Sequence, residues 1–177
     1  MKPFEKDFDW QRQFIPQIKQ ILANYLIEEA PFEEDTRRNT DLLVLEAKTL
    51  RIACRVRHHK YVLDARYRDE FTIRASRPSG VETELHKVLR GWGDRVFYAF
   101  ADEDESALCA WLLGDLDEFR LWHNRALALL PPGRMPGTEV PNADRSSKGR
   151  AYRVGDLPDA FVVARRRFEA PVRNPAA

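Results

Sequence analysis

Apolar positions change period several times along the chain, and each change marks an element. Ile18, Ile21, Leu22, Tyr25 and Leu26 recur at helical spacing and form one stripe. Pro16 sits in the first turn, where a missing N–H is harmless; Glu28 and Glu29 follow the stripe, and Pro31 stops the helix. After the polar loop PFEEDTRRNT comes Leu42–Leu45, a short apolar run suited to a strand buried on both faces. A turn over Glu46–Thr49 leads to Arg51–Arg57, where Ile52, Cys54 and Val56 alternate with Ala53, Arg55 and Arg57. That is the pattern of a half-buried strand. His58–Asp69 is polar and aromatic and reads as a loop or an irregular extension. Strand alternation resumes at Phe71–Arg74, with Phe71 and Ile73 opposite Thr72 and Arg74.

The second half continues the mixture. Ser79-x-x-Glu82 is a capping-box pattern ahead of Leu85, Val88 and Leu89, and Gly91 suits the helix stop. Val96–Phe100 and Ala107–Leu113 read as two strands of a hairpin joined by the acidic loop Asp102–Ser106. Asp115-x-x-Glu118 opens a third helix with Leu116, Phe119 and Trp122 inward. Pro131–Lys148 is rich in Pro, Gly and Ser and reads as a mobile loop. Ala151–Val154 predicts a last short strand, Leu157–Ala164 a short apolar element, and the tail from Arg165 a frayed end. There is no internal repeat. The expectation is one α/β domain spanning residues 1–177, with its core at about 16–164.

Composition narrows the class. With 44% apolar and 32% charged residues a folded globule is expected. No apolar run approaches the roughly 20 residues that span a bilayer. MKPFEKDFDW has no apolar stretch of signal-peptide type, so a cytoplasmic, membrane-free protein is expected. Cys54 and Cys109 both fall in strand-like segments and read as buried thiols, without metal-ligand spacing. A net charge of +1 gives no global attraction to nucleic acid. Its distribution is uneven, however. Arg51, Arg55, Arg57, Lys60, Arg66, Arg68, Arg74 and Arg77 are opposed only by Asp64, Asp69 and Glu70. Between Ala101 and Arg120 the balance reverses. Segregation of this kind predicts either one cationic face for a polyanion or a strand with ordinary solvated arginines.

The order helix, strand, strand, strand, helix, strand carries an acid, Asp41, at the first strand and Arg55-x-Arg57 on the second. Together with EFTIRASRPSG and TELHKVLRGWGDRVFYAFAD, this resembles the PD-(D/E)XK superfamily, as in short uncharacterised phage and prophage proteins. The resemblance covers roughly Ile18 to Phe100 and implies a restriction-endonuclease-like core, a mixed central sheet flanked by helices. It also implies a nuclease-like protein that acts on or binds nucleic-acid phosphodiesters, with Mg²⁺ or Mn²⁺ as the metal. Asp41 matches the family's metal-binding Asp, and Arg55-x-Arg57 stands where Glu-x-Lys would stand. Arg55 thus puts a fixed positive charge in a carboxylate's place, while Arg57 can serve as a phosphate binder. A second carboxylate would come from Glu34, Asp35 or Glu33 folding back toward Asp41, giving a metal set of Asp41, Glu34 and Asp35. The alternative set Asp41, Glu46 and Lys48 requires a sharp turn, because residues five apart on a strand face opposite ways.

Other candidates carry their own alternatives. Arg37 and Arg38 either contact phosphate or pair with Glu33 and Glu34. Arg74 and Arg77 flank the start of the second predicted helix and form either an anion site or an ordinary strand end. His58 and His59 with Asp64 match no metal motif, and His86 and His123 stand alone. Trp92, in Gly91-Trp92-Gly93-Asp94, is expected on the core, with base stacking as its alternative role. Arg165, Arg166 and Arg167 either reach a phosphate backbone or form a solvated terminus. There is no G-x-S-x-G, phosphate-binding loop or dinucleotide fingerprint. The two functions that follow are a nuclease with catalytic Asp41, Glu34, Arg55 and Arg57, and a non-catalytic binder of DNA, RNA or a host or phage protein on the same scaffold.

Overall fold

A computed structural model describes residues 9–23, 27–29, 42–44, 50–142 and 147–169. Its centre is a four-stranded mixed sheet built around β5 (Arg95–Ala101). β3 (Ile52–Arg57) lies parallel to β5 on one side, and β6 (Leu108–Asp115) antiparallel on the other. β9 (Val162–Arg166) pairs antiparallel with β6 and forms the second edge. A three-stranded antiparallel sheet combines β4 (Glu70–Ser76), β8 (Lys148–Arg153) and β7 (Thr138–Pro141), in that order. β1 (Ile27–Glu29) and β2 (Leu42–Val44) form a separate antiparallel pair. The chain is therefore mixed α/β, with mixed sheets flanked by helices.

The sequence of β5 explains this arrangement. All of Val96–Ala101 is buried, and period-two alternation sends the side chains into two different cores. Phe97, Ala99 and Ala101 join Val56, Leu108 and Leu113 beneath α1 (Ile15–Ala23), which contributes Ile18, with Phe14 just ahead of it. Val96, Tyr98 and Phe100 join Ala110 and Leu112 on the opposite face. That second core is closed by Phe71 and Ile73 of β4, Tyr152 of β8, Leu85 and Val88 of α4 (Glu84–Leu89), and Leu116 and Phe119 of α5 (Leu116–Ala128). Phe161, in a 3₁₀ turn at Asp159–Phe161, completes it.

Phe71 is the hub of the second core. Its ring centroid lies 5.3 Å from Phe161, 5.5 Å from both Phe119 and Tyr152, and 6.4 Å from Tyr98. Gly114 makes room for this packing, since a Cβ there would sit 2.5 Å from the Phe161 ring. α5 begins where β6 ends because Asp115 accepts hydrogen bonds from the backbone N–H groups of Asp117 and Glu118. The same carboxylate binds Arg95, its cross-strand partner, at 2.7 Å.

Several expectations are corrected. The described part of the first helix ends at Ala23, Glu28 and Glu29 lie in β1, and Tyr25 and Leu26 lie outside the described residues. β2 pairs with β1, and β3 pairs with β5 and not with β2. Burial on two faces made β5, rather than Leu42–Leu45, the better partner for β3. The segment His58–Asp69 holds two single-turn helices, α2 (Lys60–Leu63) and α3 (Ala65–Arg68). The capping box at Ser79 is not used: Thr83 is the N-cap of α4, and its hydroxyl donates to Ala75 O instead of capping the helix. Part of the predicted 131–148 loop is β7, and Arg165 and Arg166, predicted frayed, belong to β9. Trp92 is 63% exposed and stands under the Arg51 guanidinium rather than on the core. Among the described residues no helix is long and apolar enough to cross a membrane.

Replacing Phe71 with Ala removes the common contact of four rings, and urea unfolding is expected to show a loss of about 3–5 kcal/mol. Gly114→Ala, which forces the Phe161 ring to move, is expected to cost about 1–3 kcal/mol in the same assay.

Candidate nucleic-acid interface

The alternation in β3 does what the sequence predicts. Val56, Cys54 and Ile52 face α1, so Arg55 and Arg57 point into the opening between the two larger sheets. There the Arg57 guanidinium donates to Thr72 Oγ1 at 2.9 Å and to Tyr98 OH at 3.2 Å. The two hydroxyls are themselves 3.0 Å apart. Arg57 also lies 3.9 Å from the Tyr61 ring centroid, a cation–π contact. Arg55 donates to Thr72 O at 3.3 Å and sits 3.7 Å from Glu84. Arg74 joins the cluster, 4.0 Å from the same Glu84 carboxylate. The three arginines therefore converge, but they are braced by internal partners. Arg77 stays outside, exposed in the turn closed by its own carbonyl and Gly80 N–H.

Asp41, Glu34, Asp35, Glu33, Arg37, Arg38, Glu46 and Lys48 lie outside the described residues. Among the described residues β2 pairs with β1, and β3 pairs with β5. Among the described residues no group of three or more His, Cys, Asp and Glu side chains is placed to hold a metal ion.

Register exposes a second set of arginines. On one face of the four-stranded sheet, Arg55, Tyr98, Leu112 and Arg165 form a continuous cross-strand row. Arg57, Phe100 and Ala110 form the next. Both edges of this face carry arginine, while the middle is apolar. Between the β9 edge and the start of β4 lies a cavity of about 160 Å³. Tyr98, Phe100, Ala110 and Leu112 contribute from the sheet, and Arg68, Asp69 and Glu70 from the opposite wall. Arg165, Arg166, Arg167 and Phe168 line the β9 side. The Tyr98 hydroxyl that binds Arg57 connects this cavity to the β3 arginines.

Charge in the cavity is only partly internally compensated. Glu70 is 3.8 Å from Arg153, which lies outside the lining. Arg68 donates to Leu63 O at 3.3 Å and lies 5.6 Å from the Phe168 ring, while its buried Nε has no hydrogen-bond partner. Arg165, Arg166 and Arg167 are exposed. Sequence reasoning noted the three-arginine run but placed it in a tail; its strand register, which the cavity depends on, was not foreseen. Arg68 was counted only as one of the cationic run between Arg51 and Arg77, and Tyr98 and Phe168 were missed, because nothing in their local pattern separates them from packing residues.

The histidines divide by environment. His58 Nδ1 is 2.5 Å from Glu105 Oε1, and Trp10 Nε1 donates to the other oxygen at 2.8 Å. These two bonds, His58 first, hold the Glu105 carboxyl below its usual range. They also support an unusual backbone, since Glu105 has φ 55°. His59 meets Phe168 edge-on at 6.2 Å. His123 is wholly buried among Phe119, Trp122 and Tyr152, with no partner for either ring nitrogen. Burial, and then the nearby Arg150 charge, push its pKa below the ordinary imidazole value.

No family model, curated protein or solved structure matches the chain. The likeness to the PD-(D/E)XK superfamily accordingly rests on sequence features alone.

Two measurements probe this geometry. Tyr98→Phe removes the hydroxyl shared by Arg57 and Thr72 and is expected to cost about 0.5–1.5 kcal/mol in denaturant unfolding. His123 has a folded pKa below its unfolded one. The unfolded chain therefore binds more protons, and the stability that His123 supplies above its unfolded pKa is lost as pH falls through that value toward the folded one. The melting temperature should fall over this window, and His123→Phe should flatten the fall.

Proposed function

We propose that this chain binds nucleic-acid phosphodiesters through the arginine-lined cavity, and does so as a binder rather than as a nuclease. One observation carries the reading: Arg68 from α3 and Arg165 and Arg167 from the β9 edge converge on one concavity, with Tyr98 linking it to Arg57. Guanidinium groups are planar, permanently charged and weakly hydrated, which suits paired hydrogen bonds to phosphate oxygens. Exposed arginines shed some hydration on meeting a phosphate but have no buried ion pair to break, and the released counterions favour the contact. An arginine-rich edge strand also resists unwanted strand addition. That role asks nothing of Arg68 or of the cavity, so it does not account for the convergence.

Binding is favoured over cleavage by the chemistry of Arg55. In a PD-(D/E)XK site the corresponding side chain is a carboxylate that holds the metal. Here it is a cation tied to Glu84 and to the Thr72 carbonyl. A restriction-endonuclease-like origin for the scaffold fits the order of elements from Ile18 to Phe100, and the binding proposal does not require it. A protein partner is the alternative occupant, and the assay below separates the two.

Fluorescence anisotropy with labelled oligonucleotides tests the proposal. Affinity should fall as salt rises, with a log–log slope of about −0.7 per single-strand phosphate contact. Arg165→Glu with Arg167→Glu should weaken binding at least about tenfold and make the slope shallower by about 1.4. Binding that ignores both salt and the double change would sink the reading, and absence of binding at low salt would point to a protein partner. Cleavage in Mg²⁺ or Mn²⁺ that disappears in Asp41→Asn would replace the binder with a nuclease.

A further inference from the structure

We infer that the cavity takes an unpaired nucleotide of a single strand, with its base on the Phe168 ring and its phosphates on the β9 arginines. This rests on the binding role proposed above and specifies its ligand. The first ground is shape. Sequence readers of duplex DNA insert a convex element, a helix or a two-stranded ribbon, into a groove. Here the protein surface is concave, about 160 Å³ between two sheets, so the ligand must supply the inserted group. A duplex keeps its bases inside its stack and offers phosphates outside; an unpaired strand can offer a base.

The second ground is the chemical order of the lining. Arg165 and Arg167 stand on the outer, β9 side, where a backbone would pass. Tyr98, Phe100, Ala110 and Leu112 make the floor aromatic and aliphatic, which suits a base and not a phosphate. Asp69 and Glu70 on the far wall disfavour phosphate there and can accept hydrogen bonds from base amino groups. The lining thus passes from the cationic β9 side over an apolar floor to a far wall where Arg68 stands beside Asp69 and Glu70, so that both donors and acceptors are there for a base edge.

The third ground is Phe168. It is half-buried at the cavity, just past the end of β9, with Arg68 on its face at 5.6 Å and His59 at its edge. Arg68 belongs to α3 and His59 is the N-cap residue of α2, so two elements contact the ring, which also packs against the second core and lines the cavity. A ring flanked by a guanidinium is the combination that stacks bases without sequence preference.

The experiment compares full-length protein binding to a single strand of about 12 nucleotides, within the range covered by known single-strand sites, and to the duplex of the same sequence at one ionic strength. The single strand should bind at least about tenfold more tightly. Phe168→Ala should weaken the single strand by about five- to a hundredfold and leave the duplex unchanged. Phe168→Trp should retain affinity, and its added indole fluorescence should be quenched by the single strand more strongly than the parent's own signal. Matched circular dichroism melts guard against a folding defect. If Arg165→Glu with Arg167→Glu abolishes binding while Phe168→Ala and the strand comparison show nothing, the binding role stands and the base-stacking inference is overturned. If neither form of nucleic acid binds, both are overturned.

Discussion

Burial of β5 on both faces is the constraint on which the molecule depends. A strand with polar residues on alternate positions can rest one face in water. Val96–Ala101 has no such face, so the chain must build a core on each side. On the α1 side Ala99 and Ala101 leave room for a helix to approach, while Phe97 shares the core with Phe14 and stacks on Trp111. The other side carries Val96, Tyr98 and Phe100 and demands large partners, which β4, α5 and the Phe161 turn provide. Asp115 couples the halves by binding Arg95 across the sheet while capping α5, so the hairpin register and the helix start are set together.

The same alternation places arginines inside the opening of the structure. On β3 the residues that do not face α1 must face the second sheet, and two of them are Arg55 and Arg57. Leaving a guanidinium unpaired in that position would cost several kcal/mol, so the neighbouring polar groups matter. Thr72 and Tyr98 supply acceptors to Arg57, and Glu84 offsets both Arg55 and Arg74. The arginines are thereby fixed as structural donors. Their positive potential still adds to that of the adjoining cavity, where Arg165 and Arg167 are exposed. Brace and cavity share one residue, Tyr98, whose hydroxyl meets Arg57 while Tyr98 also lines the cavity.

Edge strands explain why the cationic groups lie where they do. β3 and β9 are the two borders of the four-stranded sheet, and each carries arginine where the central strands carry apolar residues. Charge at a border keeps the open backbone groups from recruiting another strand. At β9 this protection coincides with a concavity, and α3 brings Arg68 to the other side of it. A site for an anion can therefore arise from groups that the fold already needs at its rim.

Much of the local structure was legible in the sequence. The alternation of β3, the doubly buried β5, the hairpin to β6 and the Asp115 cap of α5 all follow from side-chain period and capping chemistry, which act within a few residues. The facing of Arg55 and Arg57 away from α1 followed in the same way. What the sequence could not decide was which strands become neighbours, because pairing depends on burial summed over distant segments. Leu42–Val44 is as apolar as a core strand, yet it pairs with Ile27–Glu29, and the place beside β3 goes to β5. Arg165 likewise became part of a cavity only through its register with Leu112 and Tyr98, residues far away in the chain. Short-range chemistry set the elements; long-range burial chose their partners, and with them the location of the candidate site.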